Sequence, residues 1–214
     1  MNYSTSNKEI GDFGWLQTHS GLKVYPLAMK LEDINISDIA WALSNICRFN
    51  GHCTTFYSVA SHSIIVARII YNATTDKHLA LWGLLHDASE AYLGDIVRPL
   101  KHLPEFGFYR EKEVVLQNTI LDRFGIYNEY PADWNEPDII KNTDRFMIYL
   151  ENEHIRSPLH HDNAFMPGNP EYLELIEKLK IGKEVNQYFF ELLGKDCKTI
   201  YQIFLYDFAM YNRE

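Results

Sequence analysis

The segment Leu84-Leu85-His86-Asp87-Ala88-Ser89-Glu90-Ala91-Tyr92-Leu93-Gly94-Asp95 sets the architecture of the chain. It continues an apolar helix that already holds Leu79, Leu81 and Trp82, then carries His-Asp, a Glu three residues later, and another acid beyond Gly94. Buried helices exclude ionised groups unless these are paired or bind a metal. On one continuous helix His86 and Glu90 stand at i and i+4, and Asp87 and Glu90 at i and i+3, so the three project from adjoining parts of one surface. Gly94 suits a left-handed C-terminal position, so the helix is expected to end near Leu93-Gly94.

Working outward toward the N-terminus, Asp76 is placed to cap this helix. The preceding helix is expected from about Ser58 to Asn72. There Val59, His62, Val66, Ile69 and Ala73 recur every three or four residues, which puts His62 on the apolar stripe. Before it, Ser37 is the expected N-cap of a helix from about Asp38 toward Arg48, with Ile39, Ala42, Leu43 and Ile46 turned inward. Arg48 and Phe49 fall where that helix ends, and Asn50-Gly51 turns the chain. Trp15 to Tyr25 reads as a short hairpin with Gly21 in its turn and Pro26 beyond it. Residues 1–11 form a polar tail.

In the other direction Asp95 lies in a loop that continues into Arg98, Pro99 and Lys101. A helix from about Phe108 to Phe124 offers Val114, Val115, Ile120, Leu121 and Phe124 to the core. Tyr127 to Trp134 connects it to a helix opened by Pro137, in which Ile140, Asp144, Met147, Ile148 and Glu151 fall on or near one face. Asp144 is thus an acid close to an apolar stripe, costly if unpaired. Ser157 to Pro170 is a loop whose His160-His161 reads as a solvated pair. Helices follow from about Glu171 to Leu193, interrupted or bent near Gly182, and from about Lys198 to Tyr211. No repeat or linker divides the chain. The expectation is a single all-α domain over residues 1–214, a helical bundle with one or two small β-hairpins.

Composition narrows the function. Twenty basic against 29 acidic residues give a net charge of −9, which argues against a nucleic-acid or membrane-surface binder. An anionic small molecule needs only local positive charge, from a metal and a few arginines. There is no leader-like segment and no apolar run near 18 residues, so a cytoplasmic protein is expected. Cys47, Cys53 and Cys197 lack CxxC spacing and read as reduced thiols.

His62, His86-Asp87 and Asp144 are three anomalies that each need a partner, and one divalent cation resolves all of them. Two imidazoles with two carboxylates suit Mn, Fe, Co, Ni or Zn rather than Ca. On a six-coordinate ion two positions stay open. Such an ion lowers the pKa of bound water and neutralises charge on a phosphoryl oxygen.

The order His62, His86-Asp87, Asp144 on successive helices resembles the HD-domain metal-dependent phosphohydrolases. His86-Asp87-Ala88-Ser89-Glu90, Gly94-Asp95 and Pro99-Leu100-Lys101 are similar to the bacterial YfbR-type 5′-deoxynucleotidases, as are Ile46-Cys47-Arg48-Phe49 and Ser58-Val59-Ala60-Ser61-His62-Ser63. Phage dATP triphosphohydrolases share this layout. The resemblance spans about residues 46–151, within an HD core of about 38–151 to which the hairpin and C-terminal helices are added. It implies metal ligation by His62, His86, Asp87 and Asp144, and catalytic or substrate roles for Arg48, Glu90 and Asp95. It also brings Lys101 and Phe49 toward the substrate, although Phe49 stands where the deoxynucleotidases commonly carry Trp. The implied partner is a deoxynucleotide, and the implied assembly a homo-oligomer, dimer or larger.

The function expected is hydrolysis of a deoxynucleoside 5′-monophosphate to deoxynucleoside and phosphate. The alternative is dNTP triphosphohydrolysis, for which Arg98, Lys101, Arg110 and Lys112 would supply charge. Alarmone hydrolysis is disfavoured because Ala91, not an acid, follows Glu90. A non-catalytic nucleotide sensor is the alternative from another class; its degenerate members would lose a ligand or an acid, and none is missing here.

Overall fold

In a computed structural model of the chain, the described residues are 14–126, 136–157 and 169–213. The expected connection 127–134 lies outside them, as does most of the 157–170 loop with His160 and His161. Ten helices, α1 (Ile36–Asn45), α2 (Val59–Thr74), α3 (Lys77–Leu85), α4 (Glu90–Leu93), α5 (Arg98–Lys101), α6 (Gly107–Arg123), α7 (Asp138–His154), α8 (Pro170–Lys178), α9 (Glu184–Leu192) and α10 (Cys197–Tyr211), accompany one antiparallel hairpin among the described residues, β1 (Leu16–Gln17) with β2 (Lys23–Val24). The all-α expectation holds. No helix among the described residues is long and apolar enough to cross a membrane.

α2 is the central element. Every residue from Val59 to Ala67 is buried, and α1, α3, α7, α9 and α10 all pack on it. Its start is fixed by Ser58, whose side chain accepts from the Ser61 amide. Thr75 ends it in the left-handed conformation (φ +60°), and Asp76 caps α3 at once through the Leu79 amide. This short link lays α3 back along α2. Gly83 permits the closest approach, because a Cβ there would stand 2.5 Å from Ile70 Cδ1.

α3 does not run on to Leu93. It stops at Leu85, a tight turn follows, and α4 begins at Glu90. The cause lies in α6: Gln117 Nε2 donates to the Leu85 carbonyl (2.7 Å), and its Oε1 accepts from the Ser89 amide (3.0 Å). A side chain inserted into the helical ladder breaks it. Gly94 then closes α4 at φ +80°, as expected of a terminal glycine.

Several expected boundaries move. Asn35 rather than Ser37 caps α1, accepting from the Ser37 amide. Asp38, buried at the start of α1, accepts from the Ser20 amide and hydroxyl, while His19 stacks on Trp41 (4.2 Å), so the marginal hairpin is held to the bundle. Val114 and Val115 are exposed rather than core. α6 turns Leu116 and Ile120 inward, and at about 100° per residue the two valines rotate away from that stripe. The interruption expected near Gly182 is present, as a break between α8 and α9.

Candidate metal centre

The centre forms where α2, the end of α3 and α7 meet. A fully buried Ile or Leu contributes about 1.5–3 kcal/mol at such a position, yet α2 places His62 there with no exposure at all. Its Nδ1 lies 2.8 Å from Glu151 Oε1 of α7. Against a carboxylate, Nδ1 carries the proton and Nε2 is left with its lone pair. His86, at the end of α3, donates from Nδ1 to the Gly83 carbonyl (2.8 Å). A carbonyl only accepts, so its Nε2 is also left as a ligand atom.

The two Nε2 atoms face each other at 3.3 Å. Asp87 Oδ2 lies 3.2 Å from His86 Nε2 and 3.9 Å from His62 Nε2. Asp144 Oδ1, from α7, lies 3.1 Å from His62 Nε2 and 4.0 Å from His86 Nε2. Ligands held about 2.1 Å from a small divalent ion stand about 3.0–3.4 Å apart when adjacent. The donor atoms of His62, His86 and Asp87 all lie within 4.8 Å of one another and form a group able to hold a metal ion. Asp144 approaches the same two imidazoles but is not part of that mutually close group.

Electrostatics support the fit. Burial opposes a charge on His86, but Asp87, hydrogen-bonded to it, and Asp144 outweigh this and raise its pKa to about 10. Burial likewise opposes ionisation of Asp87 and Asp144, yet the two histidines hold both carboxyls below the ordinary range. In the metal-free protein a proton on His86 supplies positive charge among these acids, and a cation that displaces it would meet two imidazole nitrogens and the Asp87 carboxylate, with Asp144 alongside. A divalent transition ion with mixed N and O ligands fits that donor set.

A cavity of about 310 Å³ opens beside these groups, lined by His86, Asp87, Asp144, Glu90, Lys101 and Glu136 among others. Glu90 Oε2 is buried with no hydrogen-bond partner among the described residues. Burial, then Asp87 and Asp95, push its pKa well above the usual carboxylate value. Asp95 is half-buried in the loop after α4. Burial raises its pKa too, while Arg48 and Lys101 pull it down. Lys101 is paired with Glu113 of α6 at 2.6 Å.

Arg48 lies in the 3₁₀ turn Arg48–Gly51, which an isolated bridge between Cys47 and Ser58 ties to the start of α2. Its guanidinium is largely buried, 3.6 Å from Asp87 and 3.2 Å from Glu151. Phe49 adopts φ +55°, uncommon for a bulky side chain. Its ring packs under Arg48 (5.4 Å) and Arg156 (4.6 Å) rather than in the cavity wall.

Glu151 and Glu136 have places at this centre that the sequence reading did not assign. Glu151 had a signal: it sits seven residues after Asp144, two turns along the same inward face of α7. Glu136 had none, because it precedes its helix and shares no periodicity with the other groups.

No protein-family profile matches the chain. YfdR, an uncharacterized protein of Escherichia coli K12, is 36% identical over 138 residues, which cover 64% of this chain and 70% of that protein. An uncharacterized protein of Rhodobacter capsulatus is 35% identical over 145 residues, covering 66% of this chain and 72% of that protein.

Proposed function

The chain belongs to the same family as YfdR, and we propose that it is an HD-type metal-dependent phosphohydrolase that releases phosphate from deoxynucleoside 5′-monophosphates. The observation that carries this reading is the convergence of His62, His86, Asp87 and Asp144 beside a cavity that also holds the buried carboxyl of Glu90, whose Oε2 has no hydrogen-bond partner among the described residues.

His62, His86, Asp87 and Asp144 would hold a divalent ion, which when bound supplies Lewis acidity toward a phosphoryl oxygen and acidifies water. Arg48 presents the part of its fork turned toward Asp87 to a phosphate oxygen. Hydrolysis forms one bond from water oxygen to phosphorus, breaks the bond from phosphorus to O5′, and moves one proton to the departing oxygen. Glu90 Oε2 is the atom suited to hold that proton, since its surroundings penalise the ionised form. Asp95, whose pKa burial raises but Arg48 and Lys101 draw back, is the better suited of the two to take a proton from the attacking water. The two acids thus have environments that separate their roles.

The same cavity supports a monophosphate over a triphosphate. Arg110 donates to the carbonyls of Lys101 and Leu103, Lys101 is paired with Glu113, and Lys112 lies over the Phe108 ring. Three of the four cations expected to serve a longer phosphate tail, Lys101, Arg110 and Lys112, are thus engaged within the protein, and Glu113 and Glu136 add negative charge to the lining.

The test is a screen of protein loaded with Co or Mn against deoxynucleoside and ribonucleoside mono- and triphosphates, with products identified by ion chromatography. The expected products are deoxynucleoside and inorganic phosphate. Tripolyphosphate from dNTPs would install the triphosphohydrolase alternative. A metal-loaded protein that turns over none of them would point to a nucleotide sensor.

A further inference from the structure

We propose that Glu151 is a positioning residue that couples metal binding to phosphate binding, by holding His62 and Arg48 through one carboxylate. The proposal rests on the reading of His62 as a ligand and Arg48 as the phosphate contact. Glu151 is wholly buried, a position at which an ionised carboxylate is costly unless its oxygens are engaged. Both are. Oε1 accepts from His62 Nδ1 (2.8 Å), and Arg48 Nε lies 3.2 Å from the same oxygen. Oε2 accepts from Arg48 Nη2 (3.3 Å).

The contacts close a ring. Glu151 reaches His62, His62 faces Asp87 across the centre, Asp87 lies 3.6 Å from Arg48 Nη1, and Arg48 returns to Glu151. Nη2 of Arg48 donates to Glu151 and Nε lies against the same carboxylate in charge contact only, which leaves Nη1 on the side of Asp87 and the centre. A hydrogen-bond acceptor behind a ligating imidazole fixes its tautomer and orientation, and losing that acceptor typically lowers metal affinity about 10- to 100-fold. In this chain that carboxylate also fixes the anion-binding arginine. Each ligand thus finds one wall of its site ordered by the other, and the coupling must be reciprocal.

The two functions separate by substitution. In Glu151→Gln the amide oxygen still accepts the His62 proton, but the charge that orients Arg48 is lost. In Glu151→Ala both contacts go. Cobalt binding is followed by equilibrium dialysis without substrate, and inorganic phosphate binding by calorimetry on the cobalt-loaded protein. Glu151→Ala is expected to lose roughly 10- to 100-fold in cobalt affinity. Glu151→Gln is expected to hold cobalt within about threefold of wild type while binding phosphate as weakly as Arg48→Ala. If Glu151→Ala is unfolded by circular dichroism, the near-isosteric Gln variant and Arg48→Ala still decide the phosphate arm. Glu151→Gln binding phosphate as tightly as wild type overturns the proposal, as does a folded Glu151→Ala with wild-type cobalt affinity. A wild-type protein that takes up no cobalt would instead remove the metal centre on which the proposal stands.

Discussion

The Gly83 carbonyl accepts the Nδ1 proton of His86 at 2.8 Å, and Gly83 is also where α3 packs tightly on α2. One residue therefore sets both the spacing of two helices and the orientation of a candidate ligand. A methyl group at Gly83 would meet Ile70 Cδ1 at 2.5 Å and Val66 Cγ1 at 3.4 Å, in a region with no exposed surface to relax into. Overpacking of this kind costs about 1–3 kcal/mol, partly offset by the roughly 1 kcal/mol that Ala gains over Gly within a helix. Gly83→Ala is expected to lower both urea resistance and cobalt affinity, because moving α3 moves His86. Ile70→Val removes the obstructing Cδ1, so the double variant should recover both. Recovery of stability without recovery of cobalt binding would separate the two duties.

Glu90 makes a prediction about pH. Burial, Asp87 and Asp95 hold its carboxyl well above 4.5 in the metal-free protein. Above that pH the unfolded chain has lost a proton that the native side chain keeps, so native stability falls as pH rises toward the native pKa. Glu90→Gln cannot ionise. Metal-free Glu90→Gln should thus gain on metal-free wild type as pH rises from about 4.5, while the metal-loaded variant loses turnover and retains its metal. Urea titrations at several pH values check the first part. A stability gap that does not change with pH would contradict the penalty on the charged form.

Arg68 and Asp207 provide a control remote from the chemistry. Arg68 Nε and Nη2 donate to the two oxygens of Asp207 (2.8 and 3.3 Å), joining α2 to α10, and Nη1 reaches Glu191 of α9. Asp207 is 1% exposed, so the pair is not a surface ion pair of negligible worth. Removing one partner of a buried pair costs about 3–5 kcal/mol. Arg68 keeps some solvent and Glu191, so Asp207→Ala is expected near the lower end, about 3 kcal/mol by urea denaturation. Arg68 is about 9 Å along α2 from His62, and the folded fraction should bind cobalt as wild type does.

What the sequence discloses of all this follows from how local each cause is. The caps at Ser58 and Asp76 and the stop at Gly94 act within one turn, and each is legible from the residue itself. His62 is legible because an imidazole interrupts an otherwise apolar helical stripe. The break after Leu85 is not, because its agent is Gln117, 32 positions along the chain. Val114 and Val115 mislead for a related reason: α6 is partnered over a narrow stripe centred on Leu116 and Ile120, which its own periodicity does not select. Glu151 was visible as a position and not as a role, since the role depends on Arg48 and His62 arriving from other elements.

Asp144 is the proposed ligand whose loss should touch the fold least. Its side chain is 43% exposed, whereas His62 is wholly buried. In the metal-free protein it is a partly solvated side chain, and its contact with His62 is worth about 1 kcal/mol or less. Metal-free Asp144→Asn should therefore unfold within about 1 kcal/mol of metal-free wild type. Metal separates the two proteins. At a hundredfold excess over the dissociation constant, a ligand that binds only the native state adds about 2.7 kcal/mol. At that same free cobalt concentration Asp144→Asn, with one anionic donor fewer, should gain distinctly less. A chelator should abolish the difference and restoring cobalt should return it, as followed by thermal melts. Equal cobalt stabilisation of both proteins would place Asp144 outside the coordination sphere and leave His62, His86 and Asp87 as the protein's ligands.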